Sequence, residues 1–148
     1  FCLFLTAMLA ILAVDQISKW LVISRFSPGE GMAIIGNSLH ITYVQNRGAA
    51  FGILQGKGTL FILISIIIIM GIIVYNLKYP VSNSYRLVTG IIAGGALGNF
   101  IDRCSNNYVV DFFDLGWWPV FNIADIAIVC GGILLALFVF NATEDGAK

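Results

Sequence analysis

Charge is scarce in this chain. Only 11% of its 148 residues are Asp, Glu, Lys or Arg, against about 25% in an ordinary soluble domain. Eight cations balance eight anions, so there is no basic surplus for nucleic acid. Histidine occurs once, as His40, and cysteine three times, as Cys2, Cys104 and Cys130. A lone His makes no zinc site without many carboxylate partners. Three widely spaced Cys give neither a disulfide framework nor a metal motif. No metal and no other cofactor are therefore expected. Cys2 and Cys130 fall in apolar runs and read as small hydrophobes. His40 reads as a loop or strand residue near a membrane surface.

What the chain has is apolar surface. Hydrophobic residues make up 59% and the mean hydropathy is +0.92, values that define a membrane protein. About 20 residues of helix cross the hydrocarbon core. Gly58 to Leu77 meets that length without a single charge, and Val120 to Phe140 meets it with only Asn122 and Asp125 as polar breaks. Phe1 to Val14 is uncharged and meets it if the helix continues past Asp15 and Lys19 toward Ile23. Leu87 to Ile101 meets it if Arg86 and Asp102-Arg103 lie at the interfaces. The chain opens at Phe1 rather than a methionine, so a segment is expected to precede it. Later spans, and the lack of a small-residue cleavage site, make the first stretch a retained helix rather than a signal peptide.

The expected fold is all-α and integral to the membrane, one domain over residues 1–148. Its four transmembrane helices lie near 1–23, 58–77, 86–103 and 120–140. Loops 24–57 and 104–119 share one side, and linker 78–85 lies on the other with both termini. The linker holds Pro80, Ser82, Asn83 and Ser84, which is turn chemistry. Basic residues do not orient the bundle: Lys78, Arg86 and Lys148 on one side equal Arg25, Arg47 and Lys57 on the other. In the long loop, Met32 to Ile35 and Leu39 to Val44 flank Gly36-Asn37-Ser38 and predict a β-hairpin or small sheet.

Polar residues inside such segments are expensive and mark function. Asp125 stands near the start of the last span, and Asp111 lies just upstream in Val109-Val110-Asp111-Phe112. Two neighbouring carboxylates suit general acid–base chemistry, because repulsion leaves one protonated near neutral pH. Thirteen residues separate them, and spacing alone does not show that they meet. Pro119 suits the first turn of the last helix, which would put Asp125 in the second. Asn99, Asp102 and Arg103 share a face at i, i+3 and i+4. A structural Asp102–Arg103 pair is preferred over a catalytic Asp102. Asp15 and Lys19, at i and i+4, read as an internal ion pair. Gly90, Gly94 and Gly98 form a stripe that lets helices pack closely. Gln45 to Gly52 is a polar turn or a re-entry segment leading to the second span.

Five pieces together resemble the bacterial signal peptidase II family, the lipoprotein signal peptidases. They are Asp15-Gln16-Ile17-Ser18-Lys19, Asn46-Arg47-Gly48-Ala49-Ala50-Phe51, Gly94 to Arg103, Val109 to Phe112, and Phe121-Asn122-Ile123-Ala124-Asp125. They run in the family's order and cover nearly the whole chain. The resemblance implies an intramembrane aspartic endopeptidase that cuts the signal peptide from prolipoproteins just before a lipid-modified cysteine. It implies Asp111 and Asp125 as the catalytic pair and Asn46, Asn99, Arg103 and Asn122 as substrate-binding residues. Asp15, Lys19, Gly48 and Asp102 would support the site. It further implies a multi-pass protein of the bacterial cytoplasmic membrane, with the two loops and the active site extracytoplasmic. The expected partners are prolipoprotein and membrane lipid, and a monomer is expected. Two rival readings remain on the residues alone. A proton or ion transporter expects carboxylates at mid-span, whereas these lie toward span ends. A scaffold assembled on the glycine stripe leaves Asp111 and Asp125 without a purpose.

Overall fold

The computed structural model describes residues 1–48 and 57–145. Ala49, Ala50, Phe51 and Gly52 of the polar turn lie outside the described residues. The elements are α1 (Cys2–Arg25), β1 (Gly31–Ile35), β2 (Leu39–Asn46), α2 (Gly58–Lys78), α3 (Asn83–Asn106), β3 (Val109–Asp114) and α4 (Ile123–Asp145). Among the described residues, α1, α2 and α4 are long and apolar enough to cross a membrane.

Helix α3 sits at the centre of the bundle, against α1, α2 and α4. Its glycines explain the fit. A Cβ at Gly90 or Gly94 would strike the backbone of α1 at Phe4 or Met8, and one at Gly95 would strike α4 at Ala124. The stripe therefore packs within this one chain. Ser82 caps the start of α3 by accepting from Tyr85 N. Asn107 ends it in the left-handed region, φ 62°, which Asn tolerates.

The hairpin forms where the sequence predicts it, with Gly36-Asn37-Ser38 between β1 and β2. A third strand joins it: β3 pairs antiparallel with β2, in the order β1-β2-β3. Residues 109–114 were expected to be loop. Their sequence, Val-Val-Asp-Phe-Phe-Asp, is instead rich in β formers. Val110 and Phe112 pack with Tyr43 and with Val22 from the end of α1. Side chains alternate across a strand, so anchoring Val110 and Phe112 there turns Asp111 to the other face.

Helix α4 begins later than Pro119 suggests. Phe121 exchanges backbone hydrogen bonds with Phe113, 2.8 and 3.1 Å, holding the approach to α4 against the sheet. Asn122 then caps the helix: its side-chain oxygen accepts from Asp125 N at 2.9 Å, while Asp125 Oδ2 accepts from Asn122 N at 3.2 Å. This is a reciprocal capping box with Asp in the Glu position. Asp125 consequently lies in the first turn, not the second.

Candidate active site

The capping box delivers one carboxylate and the sheet delivers the other. Asn122 ties the two together. It is fully buried, and its Nδ2 donates to Asp111 Oδ1 at 2.7 Å while its backbone and side chain hold Asp125. Asp111 Oδ2 accepts a second amide bond from Asn46 Nδ2 at 2.8 Å. Asn46 is itself oriented by Gly48 N, which donates to its Oδ1 at 2.9 Å. Asp125 Oδ1 accepts from Asn99 Nδ2 at 2.9 Å.

Asp111 and Asp125 line one cleft of about 390 Å³ with Asn46, Gly48, Asn99 and Arg103. Its apolar walls come from Phe61, Ile64 and Ile68 of α2, Ile92 and Ala96 of α3, and Ile128 and Val129 of α4, with Trp118 to Phe121. Burial, reinforced by the neighbouring Asp125, pushes the Asp111 carboxyl up from 3.8 to about 7. Near neutral pH the strand carboxyl is thus poised between its two forms.

The charges pair differently from the adjacency of Asp102 and Arg103. Consecutive helix residues do not face each other. Asp102 points to α1, where Lys19 Nζ lies 2.9 Å from its Oδ2, and Lys19 also bridges Asp15 Oδ2 at 2.8 Å. The Asp15–Lys19 ion pair is as expected. Arg103 turns instead to the cleft, with its guanidinium 4.9 Å from the Phe61 ring centroid.

The buried carboxylates also fix the backbone of the site. Asp102 Oδ2 accepts from Val110 N at 3.0 Å, and Asp15 Oδ1 accepts from Ala124 N at 2.9 Å. One residue that sequence reasoning passed over is Gln16. Its Nε2 reaches Asp15 Oδ2, Asp102 Oδ1 and Gly98 O at 3.1 to 3.3 Å, linking α1 to α3. Its position between two singled-out charges was the available signal.

Two carboxylates in one cleft, hydrogen-bonded to asparagines and walled by apolar helices, can together accept one proton and donate another. Such an arrangement suits the class of membrane-embedded aspartic peptidases. A family profile described as signal peptidase (SPase) II matches residues 7–141, and the chain belongs to that family. A lipoprotein signal peptidase of Syntrophomonas wolfei subsp. wolfei is 53% identical over 131 residues, 88% of each chain. One of Moorella thermoacetica is 46% identical over 147 residues, 98% of each. Among solved structures, a bacterial membrane enzyme determined by the in meso method at 2.3 Å superposes with a TM-score of 0.88 at 33% identity. It covers 96% of this chain and 90% of its own. A second, at 1.9 Å, gives 0.82 at 33% identity over 92% and 91%.

Proposed function

We propose that this protein removes signal peptides from prolipoproteins by aspartic proteolysis, cutting just before the lipid-modified cysteine, with Asp111 and Asp125 as the catalytic pair. The observation that carries the proposal is a buried asparagine, Asn122, hydrogen-bonded to both of the carboxylates that line a cleft with apolar walls. One carboxylate takes a proton from water while the other gives one to the scissile carbonyl. A lipid-anchored substrate stays in the bilayer, so apolar walls from α2, α3 and α4 suit its hydrophobic segment. Asn46, Asn99 and Arg103 present polar groups to the cleft for an extended backbone. Asn122 acts from beneath, on the pair.

In this reading α3 is a fourth span, between the three apolar ones, and the sheet covers the extracytoplasmic face of the bacterial cytoplasmic membrane. The chain is a single membrane domain that acts as a monomer among membrane lipids. The packing of the glycine stripe inside the chain supports that, since the stripe is not left for a second copy. The test is a cleavage assay on a lipidated prolipoprotein in detergent micelles. Wild type is expected to cut, and Asp111→Asn and Asp125→Asn to be inactive. Wild-type turnover by either variant sinks the dyad assignment.

A further inference from the structure

We infer that Lys19 is a positioning residue for the carboxylate pair, acting through Asn99 on Asp125; this rests on the peptidase reading above. Lys19 is 2% exposed. Its ammonium meets three acceptors: Asp15 Oδ2 at 2.8 Å, Asp102 Oδ2 at 2.9 Å and Asn99 Oδ1 at 3.0 Å. An ammonium has three donors and no acceptor, so the set is saturated and one-directional. Whatever Asn99 turns toward Lys19 must be its oxygen. Its nitrogen must then face the other way, and it does, donating to Asp125 Oδ1. The remaining lone pair of Asn99 Oδ1 takes Asn122 Nδ2 at 3.2 Å, the same amide that donates to Asp111 Oδ1. The cation thus sets the polarity of Asn99, while Asn122 is fixed by the backbone, its Oδ1 accepting from Asp125 N and its Nδ2 donating to Val110 O.

The chemical consequence falls on Asp125. Facing a fixed N–H donor, Asp125 Oδ1 can accept but cannot carry a proton toward Asn99. Asp111 is oriented in the same way, its two oxygens accepting from Asn122 Nδ2 and Asn46 Nδ2. In the step proposed, Asp125 takes the proton of water and Asp111 gives one to the carbonyl. The step balances: the water oxygen bonds to the carbonyl carbon, water's proton passes to Asp125, and the carbonyl oxygen takes the proton of Asp111. In collapse the C–N bond breaks, the amine takes the proton from Asp125, and Asp111 regains its own from a hydroxyl of the diol. With a residue at 19 that is not an obligate donor, Asn99 Oδ1 keeps only the 3.2 Å bond from Asn122 Nδ2, and the amide is held less firmly against turning over to present oxygen to Asp125. That contact then survives only if Asp125 is protonated there, which removes the base.

A purely structural Lys19 would neutralise Asp15 and Asp102 and do nothing more. The two roles separate in a double-mutant cycle with the lipidated prolipoprotein assay. Asp102→Asn keeps an acceptor for Val110 N and removes one buried negative charge, so Lys19→Met in that background returns the cluster to the wild-type net of one negative charge, now on Asp15. The Asn99 arm of the cycle cancels the cost of that charge. The expected result is a kcat about tenfold or more below Asp102→Asn alone, with KM within about twofold. Added to Asn99→Ala with Asp102→Asn, Lys19→Met should lower kcat by no more than about twofold further. Equal losses with and without Asn99 overturn the relay and leave the peptidase reading standing, as does an undiminished kcat. Should the Met variant fail to fold, Lys19→Gln with Asp102→Asn replaces it: it retains a donor for Asp15 but can also offer an oxygen to Asn99. A lowered kcat there supports the relay and an unchanged one overturns it. Wild type that cuts nothing refutes the peptidase reading, and this inference with it.

Discussion

Replacing Asn122 with Ala removes one side chain and breaks two systems at once. The first is the helix cap, where Asn122 Oδ1 accepts from Asp125 N at 2.9 Å. Losing an Asn cap typically costs about 1 kcal/mol. The second is the 2.7 Å bond from Asn122 Nδ2 to the buried Asp111 carboxyl. Above about pH 7, where Asp111 is ionised, a hydrogen bond to its charge contributes about 2 kcal/mol. The sum is about 3 kcal/mol, which for a chain of this size lowers Tm by roughly 6 to 12 °C. Asn122→Ser separates the parts. Its hydroxyl still caps α4 but is too short to reach Asp111, so it should recover about 1 kcal/mol of the loss. Thermal unfolding of wild type and both variants in one detergent measures the difference, and the cleavage assay runs alongside. Both variants should lose about tenfold or more in kcat, because both release Asp111. If Ala and Ser prove equally stable, the capping argument is wrong. If Ala costs less than about 1 kcal/mol in total, so is the account of the Asp111 bond.

Two further outcomes follow from burial and packing. The Asp111 carboxyl is raised from 3.8 to about 7, so the folded protein holds that proton more tightly than the unfolded chain does. The stabilisation is complete below about pH 4 and is lost as pH rises through about 7, and Asp111→Asn should flatten the fall. Unfolding curves across that window check it, and parallel slopes in the two proteins would count against it. Gly90→Ala puts a Cβ 2.5 Å from Phe4 O, whereas nothing lies within 4 Å of a Cβ at Gly132. The first should destabilise by about 1 to 3 kcal/mol and the second stay within about 0.5 kcal/mol of wild type, both read by thermal unfolding.

Much of this was legible because the governing physics is local. The uncharged runs predicted α2 and the body of α4, the Gly36-Asn37-Ser38 turn predicted the hairpin, and the four-residue glycine spacing predicted a close helix contact. Strand β3 was not legible. It is buried on both faces, so it lacks the alternation that marks a half-exposed strand, and its partner β2 is more than sixty residues away in sequence. The partner of Asp102 was missed for a related reason. Adjacency favoured Arg103, but neighbours on a helix diverge, and Lys19 approaches from a helix that only the tertiary fold brings near. The position of Pro119 misled because the bridge between Phe113 and Phe121 overrode its preference for a helix start.

The Asp15–Lys19 pair also bears on how the chain is made. Residues four apart on α1 can neutralise each other before any other helix exists, so α1 can enter the bilayer as a nearly neutral rod. The pair then waits for partners that are translated much later. Asp102 arrives with α3, and the first turn of α4 brings Ala124 N to Asp15, 109 residues on. Until that turn arrives, Asp111 lacks Asn122 and the cleft lacks Asp125. With Asp111 and Asp125 as the proposed catalytic pair, a nascent chain at the ribosome carries no working protease until the last helix is seated.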